Sequence, residues 1–201
     1  MTTHIDMGAE PGGVRAGMDL EELLASRLLV QGNSGSGKSH LLRRLLEQSA
    51  GLVQQVVIDP EGDFVSLASA FGQLVIEAAD YTEAETANIA ARVRQHRLSV
   101  ILNLEGLEME GQMRCAAAFL AGLFDAPREH WFPALVVVDE AQIFAPAAGA
   151  ENATVLSGAA VAAGAAAAIA DVAADAAGMA AAPPICAITS RRSAANFSPS
   201  W

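Results

Sequence analysis

Residues 32–39, Gly32-Asn33-Ser34-Gly35-Ser36-Gly37-Lys38-Ser39, constrain this 201-residue chain more tightly than any other stretch. The run fits G-x-x-x-x-G-K-[ST] in full. It follows a short apolar segment, Arg-Leu-Leu-Val-Gln at 27–31, and precedes leucines at 41, 42, 45 and 46, which recur at helical spacing. A strand, a glycine-rich turn and a helix in that order let successive backbone N–H groups converge on phosphate oxygens, and the helix N-terminus adds partial positive charge. Of 12 basic residues, Lys38 is the single lysine, so any role that needs an ammonium falls to it. Lys38 is expected to bridge the β- and γ-phosphates of a nucleotide, and the Ser39 hydroxyl to coordinate Mg²⁺.

A second segment supplies what such a loop lacks. Ala-Leu-Val-Val-Val-Asp at 134–139 is the most hydrophobic strand of the chain and runs directly into Glu140-Ala141-Gln142. Asp139, at the carboxyl end of that strand, is expected to hold Mg²⁺ through its water shell, and Glu140 to polarise an attacking water as general base. The plainer reading has both residues capping the next helix. A water-activating glutamate favours hydrolysis over transfer to a bound substrate, which leaves a small-molecule kinase as the weaker reading. Between the two motifs lies Val57-Ile58-Asp59-Pro60-Glu61-Gly62-Asp63-Phe64. It reads either as a turn with a helix cap or as a site that brings Asp59 or Glu61 to the γ-phosphate water or to a subunit interface.

Apolar runs without alternation, at 27–31, 55–59, 73–78, 98–104 and 134–139, are separated by helical patterns at 38–48, 83–96 and 110–124. That order predicts a three-layer α/β fold with a mainly parallel sheet covered on both faces. Residues 18–24 predict a short helix capped by Asp19, and 185–189 a last strand. The expected organisation is a flexible Gly/Pro-rich lead-in at 1–17, a core at 18–150, and an Ala-rich helical segment, last strand and polar tail at 151–201. With 12 Lys+Arg against 23 Asp+Glu, the net charge of −11 argues against general binding to nucleic acid or anionic membranes. Cys115 and Cys186 form no metal-binding pattern and read as small core residues in a reducing compartment. The alanine stretch at 158–182 contains Asp171 and Asp175 and lacks anchoring residues, so a soluble, cytoplasmic protein is expected.

Three stretches together resemble bacterial ATP-binding proteins of the HerA/FtsK type that carry the HerA central-domain pattern. They are residues 23–32 leading into the loop, Ile58-Asp59-Pro60-Glu61-Gly62-Asp63-Phe64, and Val138-Asp139-Glu140-Ala141-Gln142-Ile143-Phe144-Ala145-Pro146. The resemblance spans about residues 18–150. It implies a RecA-like P-loop NTPase core that uses ATP and Mg²⁺, often a hexameric ring that moves duplex DNA and frequently works with a nuclease partner. The chain departs from the pattern after that point. The basic segment expected there is replaced by alanine, and the sensor strand reads Ala187-Ile188-Thr189-Ser190-Arg191, with Ser190 where glutamine is expected. Either the segment from near Gly158 is out of frame in a GC-rich gene, or the chain is a divergent, shortened member. The alternative function is an ATP-binding switch without turnover.

Other charged and aromatic residues read more plainly. His40 is expected on the exposed start of its helix. His130-Trp131-Phe132-Pro133 reads as an apolar plug before the buried strand, with adenine stacking as the weaker reading. Arg43, Arg44, Arg92, Arg94 and Arg97 are expected to pair with acidic neighbours on the same helix faces. Arg191 is expected as a solvated surface residue, with a finger or sensor role as the alternative.

Overall fold

The computed structural model describes residues 3–144 and 185–192. Its elements are β1 (His4–Ala9), β2 (Arg15–Asp19), α1 (Leu20–Leu24), β3 (Leu28–Gly32), α2 (Lys38–Ser49), β4 (Gln54–Asp59), α3 (Leu67–Phe71), β5 (Leu74–Glu77), α4 (Glu83–His96), β6 (Val100–Asn103), α5 (Met109–Phe124), β7 (Ala134–Val138) and β8 (Ile185–Arg192). Six strands form one sheet in the order β3-β8-β7-β4-β6-β5, and every neighbouring pair is parallel. The three-layer α/β expectation is correct. The Ala-rich segment at 151–184 and the tail at 193–201 lie outside the described residues, as does the question of reading frame near Gly158.

Alternation within the buried strands assigns side chains to two cores. Val56, Ile58, Val100, Leu102, Val136 and Val138 face α4 and α5, where Phe119, Leu120 and Val93 meet them. Val57, Ile101, Leu135 and Val137 face the other way, onto Leu42, Leu45 and Leu46 of α2. Each of those three leucines is at most 1% exposed, and burying such a side chain contributes about 1.5–3 kcal/mol. Close approach of α4 and α5 depends on Gly122, because a Cβ there would overlap the Ala87 carbonyl. Cys115 is a free, buried thiol in this interface, as expected, and burial pushes its pKa up.

Within the lead-in expected to be flexible at 1–17, residues from His4 onward are instead ordered into strands. β1 and β2 pair antiparallel as a hairpin. Ile5 is 3% exposed and joins the core formed with α2, and Arg44 on α2 donates to the Asp6 carbonyl at 2.9 Å and pairs with its carboxylate at 3.4 Å. The Gly12-Gly13 pair that suggested flexibility forms the turn, with φ of 128° and 85°. A buried isoleucine and a cross-element ion pair thus order a segment whose local composition favours none of it. Asp19 does cap α1, accepting from the N–H groups of Glu21 and Glu22.

At the amino edge of the sheet, polar side chains are buried in mutual hydrogen bonds. Gln54 donates to the Val93 and Leu98 carbonyls and accepts from Arg94 at 2.7 Å. Gln55 donates to Leu46 and Ser49, and Gln73 donates to Gln55. Arg94, 1% exposed, also reaches the Phe132 carbonyl, and burial lowers its pKa. Arg97 stacks on the Phe132 ring at 3.2 Å. Arg94 and Arg97 therefore do not pair with acidic residues on their own helix face, which corrects the sequence expectation. A polar strand start and an aromatic ring attract them instead. Among the described residues no helix is long and apolar enough to cross a membrane.

Candidate functional site

The carboxyl ends of β3, β4 and β7 converge on one cavity of about 420 Å³. Ser34, Gly35, Gly37, Lys38, Ser39, His40, Glu61, Asp63 and Glu140 line it. Of the expected site residues, the structure brings Ser34, Gly35, Gly37, Lys38, Ser39 and Glu140 to the lining of this cavity. Gly32, Asn33, Ser36 and Asp139 support it without lining it. His40 and Asp63 border it as well, which the motif did not anticipate; a short helix start and a tight turn put them there.

The loop leaves β3 at Gly32 and enters α2 at Lys38. Gly35 and Gly37 adopt φ of 76° and 89°, which side-chain-bearing residues rarely adopt. Gly37 is the N-cap of α2 and offers no side-chain acceptor, so the first N–H groups of that helix face the cavity wall without a protein cap. Gly32 has a steric reason to be glycine: a Cβ there would lie 2.5 Å from the Ser36 Oγ. The Lys38 side chain is 8% exposed and folds back over the loop, donating from Nζ to the Asn33 carbonyl at 3.3 Å. Its charge is therefore held within the curve of the backbone.

On the facing side, β4 and β7 pair through Ile58 and Val138, so Asp59 and Asp139 leave the sheet side by side. Asp59 is fully buried. Its carboxylate accepts from the N–H of Asp63 at 3.1 Å and of Phe64 at 2.8 Å, closing the turn over Pro60, Glu61 and Gly62. Burial pushes its pKa up to about 6 against those hydrogen bonds, and the neighbouring Asp139 charge adds to the rise. Asp59 is thus turned into its own loop, and the residue of this turn that borders the cavity is Glu61, together with Asp63. That corrects the reading in which Asp59 itself reaches the γ-phosphate water.

Asp139 is 2% and Glu140 6% exposed. Glu140 stands at φ 46°, a left-handed conformation uncommon for a non-glycine residue, and its carboxylate accepts a hydrogen bond from the Gln142 side chain. The Ser39 hydroxyl and the Asp139 carboxylate are hard oxygen donors of the kind that suits Mg²⁺. A cation would also relieve the repulsion between the buried Asp59 and Asp139 carboxylates. Among the described residues no group of three or more His, Cys, Asp or Glu side chains is arranged to hold a metal.

The strand at Ile185–Arg192 lies between β3 and β7, with Arg191 registered against Gln31 and Arg192 against Gly32. Its carboxyl end therefore arrives beside the start of the phosphate loop. The segment 130–133 enters the amino end of β7, at the edge opposite the cavity, so it cannot stack on a base bound over the loop. Trp131 Nε1 there donates to the Ala126 carbonyl at 2.7 Å, consistent with a plug.

The family described as the central domain of helicase HerA matches residues 5–118, more than half of the chain and including the hairpin. Among solved structures, VirB4 of Thermoanaerobacter pseudethanolicus is similar with a TM-score of 0.62 and 11% identity, covering 94% of this chain and 77% of that one. The cytoplasmic domain of the Thermomonospora curvata type VII secretion ATPase EccC matches with a TM-score of 0.49 and 18% identity, covering 95% of this chain and 19% of that one. No curated protein matches the chain in sequence. At these identities the VirB4 likeness speaks for the fold, and the family match speaks for kinship. The chain belongs to the HerA central-domain family and is a P-loop ATPase of the HerA/FtsK type.

Proposed function

We propose that the chain binds MgATP in the 420 Å³ cavity and hydrolyses it as a cytoplasmic motor subunit that moves or processes DNA. The observation that carries this reading is the meeting of Lys38, Ser39 and Glu140 around one cavity, from segments a hundred residues apart in sequence. Backbone N–H groups of residues 33–39 would hold the phosphates, and Lys38 would neutralise the β- and γ-oxygens. Ser39 and Asp139 would hold Mg²⁺, which supplies charge neutralisation on the phosphates when bound. Glu140 would take a proton from the attacking water. With a net charge of −11 the single chain is poorly suited to duplex DNA, and duplex binding would fall to an assembled homo-oligomer, such as the hexameric ring that kinship suggests. A nuclease partner rests on that kinship too.

A second reading is a switch that binds ATP without turnover. The hydrogen bond that engages the Glu140 carboxylate with Gln142 favours it, because an acceptor already used is a poorer base. Steady-state MgATP turnover by the chain and by Glu140→Gln, each with and without duplex DNA, separates the two. Hydrolysis that falls about 100-fold or more in the variant while ATP affinity is kept, and that rises with DNA, is the motor's signature. Equal rates in both proteins would overturn the assignment of Glu140, and ATP binding without turnover would select the switch.

A further inference from the structure

Three carboxylates, those of Glu61, Asp63 and Glu140, border a cavity whose opposite wall is built to receive a polyanion. Coulomb repulsion would drive a mobile acidic turn away from bound phosphates. We propose that Arg43 is a positioning residue that ties the Glu61–Asp63 turn to the helix bearing Lys38 and Ser39, so that both walls keep one spacing when nucleotide is bound. This rests on the reading of the cavity as an ATP site.

The geometry is specific. Arg43 lies on α2, five residues beyond Lys38. Its Nη2 donates to the Asp63 carbonyl at 2.6 Å, and its Nη1 donates to the Ser66 Oγ at 3.0 Å. Asp63 is consequently gripped on both sides, since its N–H is held by Asp59 at 3.1 Å and its carbonyl by Arg43. Phe64, 1% exposed, anchors the next residue in the core beneath α2. With both flanking peptides fixed, the Asp63 side chain and the neighbouring Glu61 keep their place on the cavity wall. A guanidinium suits the task because its two donors leave in a fixed planar fork, whereas a lysine ammonium carries its donors on one nitrogen and spans the two acceptors less well. The bonds are solvent-exposed, so removing them perturbs global stability little.

The test compares the full chain with Arg43→Ala and Arg43→Lys. It measures kcat and KM for MgATP, and amide hydrogen exchange at residues 63–68 with and without a non-hydrolysable ATP analogue plus Mg²⁺. In Arg43→Ala, kcat is expected to fall about tenfold with KM within about twofold. Exchange at the Asp63, Phe64 and Leu67 amides is expected to quicken about tenfold in the analogue complex, while α4 and α5 stay protected. Arg43→Lys recovers part of both. Unchanged kcat and exchange would overturn the proposal, as would a loss of protection spread over the whole domain. Binding of the analogue to the wild-type chain tests the cavity reading separately. If the analogue binds but no protein turns ATP over, the hydrolysis reading fails and the exchange comparison alone decides the tether. If the analogue does not bind, the ATP-site reading fails and this proposal is overturned with it, whatever the exchange shows.

Discussion

The turns that follow β3 and β4 border the same cavity from neighbouring strand ends, and they use their backbones in opposite ways. The first, at 33–37, is emptied of bulk by glycine, closes on itself through the Ser36 N–H donating to the Asn33 carbonyl, and has Lys38 folded over it. The second, at 60–64, turns its N–H groups inward onto Asp59 and leaves carboxylates on the wall. The helix after the first turn starts without a side-chain cap; the second turn has spent its donors on a buried side chain. The contrast lies in whether a side chain of the same turn accepts from its amides, as Asp59 does in the second.

The strongest way to break this contrast is Lys38→Ala. With the single lysine gone, about 100-fold or more of ATP turnover is expected to be lost, together with most nucleotide affinity. Equilibrium binding of a fluorescent ATP analogue beside steady-state turnover checks it, and retained affinity would show that the amides alone hold the phosphates. Gly32→Ala attacks the first turn sterically. The added methyl meets the Ser36 Oγ, and about 1–3 kcal/mol of stability is expected to be lost, with weaker nucleotide binding. Adding Ser36→Gly should restore most of it in urea unfolding; a double variant no better than the single would mean that the clash lies elsewhere.

Asp59 offers the matching test of the second turn. Its folded pKa of about 6 lies above the unfolded value, so the folded chain holds this proton more tightly. The site's contribution to stability is greatest below about pH 4, declines as pH rises to about 6, and is constant beyond it. Asp59→Asn cannot ionise and should remove about 1 kcal/mol of the stability lost between about pH 5 and about pH 7.5. Urea midpoints at the two pH values measure it, and an unchanged pH dependence in the variant would contradict the assignment. The smallest effect belongs to a distant control. Thr82 caps α4 in a capping box with Glu85, and Thr82→Ala should cost about 1 kcal/mol by thermal unfolding without altering ATP affinity.

The phosphate loop was legible because its chemistry is local: glycine spacing, one lysine and one hydroxyl within eight residues. The buried strands were legible for a related reason, since an apolar run such as Ala134–Val138 needs no partner to announce burial. The hairpin at 4–19 was not legible. Its order comes from Ile5 packing against α2 and from Arg44 reaching Asp6, thirty-eight residues away. The acidic turn showed the right residues with an open division of labour. Nothing in Asp59-Pro60-Glu61-Gly62-Asp63 says which carboxylate turns inward, because that depends on where the Phe64 side chain finds its core.

Sequence by itself determined the fold class, the family and the glycine-rich loop that borders the cavity, since strand periodicity and a short glycine pattern are carried by neighbouring residues. Tertiary structure decided which carboxylates face that wall, and that the arginines of α2 serve the hairpin and the acidic turn. Those outcomes depend on contacts between residues twenty to forty positions apart, whose distances are set by how the strands are ordered in the sheet.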